Sequence, residues 1–109
     1  MVSDRMRKVN SLILREMSDL IMKTVDFKLN VFVTISKVDT TDDLRYTRIF
    51  VRVIPYSDID YAMKTLEHEK STMQKVLHKR LNLKILPKIS FIHDKTGDDV
   101  DEIERLLQK

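Results

Sequence analysis

Cysteine is absent from the 109 residues, which removes disulfide staples, thiolate metal sites and cysteine nucleophiles together and fits a reducing compartment. Glycine occurs once, at Gly97, and proline twice. That scarcity argues against long disordered or low-complexity segments, and it leaves no glycine-rich loop to cradle a phosphate. There is no nucleophile elbow, and no histidine stands with serine and aspartate in a catalytic order. His68, His78 and His93 fall on different elements, none at ligand spacing from another. Neither an enzymatic activity nor a cofactor nor a metal is expected. Long apolar runs are missing too: MVSDRMRKVNSLILREMSDL breaks every one with charge. It offers neither a signal-peptide core nor the span of about 20 apolar residues that crosses a membrane. A cytoplasmic chain without membrane contact is the expectation.

What is present is charge, and its distribution says more than its sum. The net charge is +3, with hydrophobic residues at 42% and charged residues at 34%. That is enough apolar matter for one core and one domain, residues 1–109. From Lys70 to His93 there are six basic residues, Lys70, Lys75, Lys79, Arg80, Lys84 and Lys88, and no carboxylate. The compensating acid follows, in Asp94, Asp98, Asp99, Asp101, Glu102 and Glu104. Such segregation reads as a basic face and an acidic C-terminal segment, 95–109.

Apolar residues at three- and four-residue steps, Met6, Val9, Leu12, Ile13, Met17, Leu20 and Ile21, predict a helix from Asp4 to about Thr24, capped by Ser3. VFVTISKV (31–38) and 45–54 are β-branched and flank the turn-like TTDD, predicting an antiparallel hairpin. On its second strand Thr47, Ile49, Val51 and Val53 belong inward. Pro55 should stop that strand, and Ser57 with Asp60 resembles a capping box for a helix beginning near Asp58. Its stripe of Ile59, Ala62, Met63 and Leu66 meets Glu69 and Lys70, then resumes at Met73, Val76, Leu77 and Leu81. Ser71-Thr72-Met73-Gln74 matches a capping box, so two helices joined by a kink at Glu69, Lys70 and Ser71 are predicted. The six methionines are read as core filler. A strand holding Ile89 and Phe91 follows, then a short amphipathic helix built on Val100, Ile103, Leu106 and Leu107.

Helix, strand, strand, helix, kink, helix, strand makes an α+β fold whose three-stranded sheet is covered on one face by helices. This is the order of type II K-homology (KH) domains, which bind single-stranded nucleic acid. From Arg5 to Leu107 the chain resembles the ribosome-binding factor A family. Arg5-Met6-Arg7-Lys8-Val9 is similar to the family's opening Arg-x-x-Arg-Val, and Val33 to Val38 to its first strand. TDDLRYTRIFVRV is similar to its Asp-Leu-Arg-Tyr block. KRLNLKILPKISFIHD is similar to its Pro-x-Leu-x-Phe-x-x-Asp block, filled here by Pro87, Ile89, Phe91 and Asp94. A standard KH domain carries a Gly-x-x-Gly loop, which one glycine cannot make. The family has Ala-x-Gly at the kink instead, and Glu69, Lys70 and Ser71 stand there. An arginine the family often has after the kink falls here on Gln74, which shifts the expected contacts toward Lys75, Lys79 and Arg80.

A monomer is expected; separately, the resemblance implies an assembly factor for the free small (30S) ribosomal subunit and its 16S rRNA. It further implies support for late maturation and 5′-end processing of precursor rRNA, a role at low temperature, and release by a ribosome-assembly GTPase. The residues expected to contact RNA are Lys75, Lys79, Arg80, Lys84 and Lys88, with Arg5, Lys8 and Arg45. Two other readings stay open: a protein-interaction module, and a KH-like binder of other single-stranded RNA. Arg48 and Arg52 with Tyr46 and Phe50 could stack bases, but arginine stems lying over a half-covered sheet are the favoured reading.

Overall fold

The computed structural model describes residues 3–84 and 87–96. Helix α1 spans Asp4–Thr24, and Ser3 caps it by accepting a hydrogen bond from the Met6 amide at 3.2 Å. Strands β1 (Phe32–Thr40) and β2 (Tyr46–Ile54) form the antiparallel hairpin. A single 3-10 turn, Tyr56–Asp58, then leads into α2 (Ile59–Leu81), and β3 (Lys88–His93) closes the sheet. The helix read at Val100 to Leu107 lies outside the described residues.

The order across the sheet is β1-β2-β3, with β3 parallel to β2. A parallel neighbour needs a crossover, and α2 is that crossover. Strict alternation along β2 buries Thr47, Ile49, Val51 and Val53 and turns Tyr46, Arg48, Phe50 and Arg52 outward. Ile49 and Val51 of the inward row meet Ile13, Met17 and Leu20 of α1 and Leu66, Met73 and Leu77 of α2 in one core, while Val53 packs with Val31 and Ala62. Thr47, fully buried, shares its hydroxyl with Thr40 across the strand pair at 2.9 Å, so neither is left unsatisfied. Among the methionines, Met6, Met17 and Met73 are core residues, whereas Met22 is 83% exposed.

Two local expectations are corrected. No kink divides the second helical stretch: α2 runs unbroken for 23 residues through Glu69, Lys70 and Ser71. Leu66 and Met73 are two turns apart and therefore in phase, and Glu69 and Lys70 occupy the gap between them half-buried. The Gln74 side chain, the reciprocal half of the expected cap, serves β3 instead. It accepts from the Ile89 amide and donates to the Pro87 carbonyl, each at 2.9 Å. The Ser57 and Asp60 box is not formed either. The 3-10 turn winds the chain into α2, and the residue at the cap position, Asp58, is drawn 2.7 Å from Lys28 Nζ.

Beyond β3 the strand register continues for one more bond, from the Asp94 amide to the Val51 carbonyl at 2.8 Å. The Asp94 carboxylate accepts from Ser36 Oγ at 2.5 Å and from the Thr96 amide at 2.8 Å. These bonds, the Ser36 hydroxyl foremost, hold its pKa at about 2 against an ordinary 3.8. A carboxyl depressed on folding contributes stability above its unfolded pKa and loses it as pH falls through the folded value. Ser36→Ala is therefore expected to be less stable than the parent at neutral pH, with the gap closing between pH 3.8 and about 2. Urea midpoints across that range check it; a gap independent of pH would contradict it.

Candidate nucleic-acid interface

The apolar stripe of α2 fixes what the opposite side of the helix shows. With Ala62, Leu66, Met73 and Leu77 buried, the residues at the outward phase are Lys64, His68, Thr72, Lys75 and Lys79, all exposed. None of the five is acidic. Reading the helix as two pieces hid half of this stripe: Lys64 and His68 lie before the supposed kink, and only continuous helical phase joins them to Lys75 and Lys79. Asn82, in the left-handed conformation at φ 49°, ends the helix, a position that asparagine tolerates well. Lys84 follows, exposed.

Alongside, Arg7, Lys8, Ser11, Leu12 and Arg15 line a shallow concavity on α1, so Lys8 has two basic neighbours the sequence reading did not single out. Between the two helices lie the carboxylates of Glu16 and Asp19. Arg80 Nη1 donates to Glu16 at 3.2 Å and to Asp19 at 2.8 Å, and Lys23 Nζ stands 3.3 Å from Asp19. The Arg80 bond, and after it that of Lys23, lowers the Asp19 pKa below the usual carboxylate value. Arg80, which the sequence reading expected to contact RNA, is thus held in ion pairs with two carboxylates of α1.

The remaining cations gather elsewhere. Arg5 faces the hairpin tip, lining a concavity with Ser3, Met6, Asp42 and Leu44. Arg45 is exposed, with Asp43 at 3.9 Å, and its carbonyl accepts from the Lys88 amide at 2.8 Å. The tip is locked by its own hydrogen bonds: Asp43 accepts from the Arg45 amide and the Thr41 hydroxyl, and Thr41 from the Tyr46 amide. That network holds Leu44 at φ 61°, a conformation costing a residue with a Cβ about 1 kcal/mol. Lys88 pairs with Tyr46 on the outward side of the sheet. The structure therefore brings Lys75 and Lys79 together on the helix layer, with Lys8 on the neighbouring helix of that layer. Arg5, Arg45 and Lys88 sit toward the hairpin end, and Lys88 is on the other layer from Lys75. The expected cations do not form one shelf.

Among the described residues there is no group of three or more His, Asp or Glu side chains that could hold a metal ion, and no helix is long and apolar enough to cross a membrane.

One helix, a hairpin, a crossover helix and a parallel third strand, with both described helices on the same face of the sheet, define a KH-like domain. The chain belongs to the ribosome-binding factor A family, which it matches over residues 5–107. It is 33% identical to ribosome-binding factor A of Syntrophobacter fumaroxidans over 108 residues, covering 96% of this chain and 92% of that protein. The crystal structure of ribosome-binding factor A from Thermus thermophilus superposes with a TM-score of 0.72 at 17% identity, covering 81% of this chain and 93% of that one. A homology model of the Thermus thermophilus factor, fitted into the cryo-EM map of a 30S complex of that factor, superposes at 0.68, with 17% identity and 80% and 92% coverage.

Proposed function

We propose that this chain binds the free small ribosomal subunit and contacts its 16S rRNA through the exposed stripe of α2. The observation that carries the reading is Lys64, His68, Lys75 and Lys79 on one helix face with no carboxylate among them, on a domain of the ribosome-binding factor A family. The fitted Thermus thermophilus factor in complex with 30S supports it. Lysines spaced along a rigid helix attract phosphates and release the counterions condensed on RNA, a driving force that needs no catalytic group. The protein acts as a monomeric cytoplasmic assembly factor without chemistry of its own. It holds rRNA segments during late maturation, supports 5′-end processing, including at low temperature, and departs when a ribosome-assembly GTPase releases it.

Sedimentation through sucrose gradients tests the reading. The protein is expected to travel with small subunits at low salt and to leave them as salt rises. Free protein at every salt concentration would overturn the proposal.

A further inference from the structure

Both helices pack on one side of the sheet, and the other side carries its own pattern. There β2 presents Tyr46, Arg48 and Phe50 at alternate positions, and the register sets Lys88 beside Tyr46 and Lys37 beside Phe50. Arginine stems lying across the sheet would cover the rings. The observed geometry leaves Tyr46 57% exposed. Phe50, by contrast, is half-buried and covered: Lys37 Nζ and Arg48 Cζ lie over its ring, each 5.6 Å from the centroid, so the open faces here are the Tyr46 ring and the outer side of the Arg48 guanidinium. The Arg48 guanidinium is itself anchored by a hydrogen bond from Nη2 to the Asp39 carboxylate. Among the described residues this side sets Lys37, Arg48, Arg52 and Lys88 against the carboxylates of Asp39 and Asp94, which are bonded to Arg48 and Ser36.

We infer that this outward sheet face binds an unpaired RNA segment, with bases against the Tyr46 ring and the Arg48 guanidinium that Phe50 backs, and phosphates at Lys37 and Lys88. Unpaired bases offer π-faces that stack on aromatic rings and on guanidinium planes, and sheets that present aromatic side chains are a known way to hold two or three bases. Tyr46 and Phe50 stand four residues apart on one strand, about 13 Å, with Arg48 midway between them. A duplex keeps its bases inside and can use only the lysines. An acidic peptide likewise would engage the lysines and leave the rings idle. This surface is on the opposite layer from the α2 stripe, so the two can be tested separately.

The experiment measures fluorescence anisotropy of three labelled probes with the full chain: an unpaired octaribonucleotide, an RNA duplex of equal charge and an oligoglutamate. Tyr46→Ala combined with Phe50→Leu is expected to weaken octamer binding about tenfold and to leave duplex binding unchanged. Lys75→Ala combined with Lys79→Ala should weaken the octamer and the duplex together. If Phe50→Leu fails to fold, Tyr46→Ala alone decides, since that ring is solvent-exposed; a loss of about threefold or more for the octamer is expected. The inference is overturned by octamer affinity unchanged in the ring variants, by equal losses for octamer and duplex, or by oligoglutamate binding as tightly as the octamer. Loss of small-subunit comigration with octamer binding intact, or the reverse, separates the fate of this surface from that of the α2 stripe.

Discussion

Leu77→Ala is expected to lower stability by about 3 kcal/mol, because a fully buried leucine truncated to alanine loses both its transfer free energy and the packing around the cavity left behind. Leu77 has no solvent exposure and sits in the core shared by α1, α2 and all three strands. A domain of this size is stable by about 5 to 15 kcal/mol in total, so a single truncation removes a large part of it. Thermal unfolding followed by circular dichroism should show a midpoint lowered by more than about 10 °C. A shift of only a few degrees would mean that α2 is held to the sheet mainly by contacts other than its apolar stripe. The consequence would reach the proposed RNA-binding stripe as well, because the same helix that buries Leu66, Met73 and Leu77 orients Lys64, Lys75 and Lys79.

The second large effect concerns those three lysines. Replacing Lys64, Lys75 and Lys79 together by alanine is expected to abolish association with small subunits at moderate salt and to leave the unfolding midpoint almost unchanged, since exposed substitutions without special partners move stability by no more than about 0.5 kcal/mol. If each lysine neutralises one phosphate, the slope of log affinity against log salt should become shallower by about 2 to 3. Titrations at several salt concentrations read that slope directly. Weaker binding with an unchanged slope would show that the lysines act through something other than phosphate contact. Arg80→Ala provides a contrast: it removes the guanidinium that pairs with both Glu16 and Asp19, leaving them with Arg15 and Lys23, so it should weaken binding through the local field.

Much of this architecture is legible in the residues themselves. Ser3 ahead of the first apolar period, the inward row Thr47, Ile49, Val51 and Val53, and the stop at Pro55 are local signals, and each corresponds to a boundary or a face in the structure. The misread features share one cause: their partners are distant in sequence. Ser71 and Gln74 have the letters of a cap, but the Gln74 amide is engaged by backbone 13 and 15 residues further on. Arg80 reads as a free cation until the helices pack and bring Glu16 and Asp19, 64 and 61 residues away, within reach. The division of the basic stripe followed from the supposed kink, although the seven-residue step from Leu66 to Met73 already kept the two halves in phase.

The shift in register between Ile35 and Lys37 has a bearing on how the molecule behaves in a crowded solution. β1 lies at one border of the sheet, where unsatisfied amides and carbonyls could recruit a strand from a neighbouring chain. An extra residue there, Ser36, bends the strand and interrupts the even ladder that a newcomer would have to match, and the ammonium of Lys37 directly after it adds a charge to the same spot. The irregularity thus acts as a guard against edge-to-edge aggregation, and straightening it by deleting Ser36 would be expected to make concentrated protein prone to β-rich assembly.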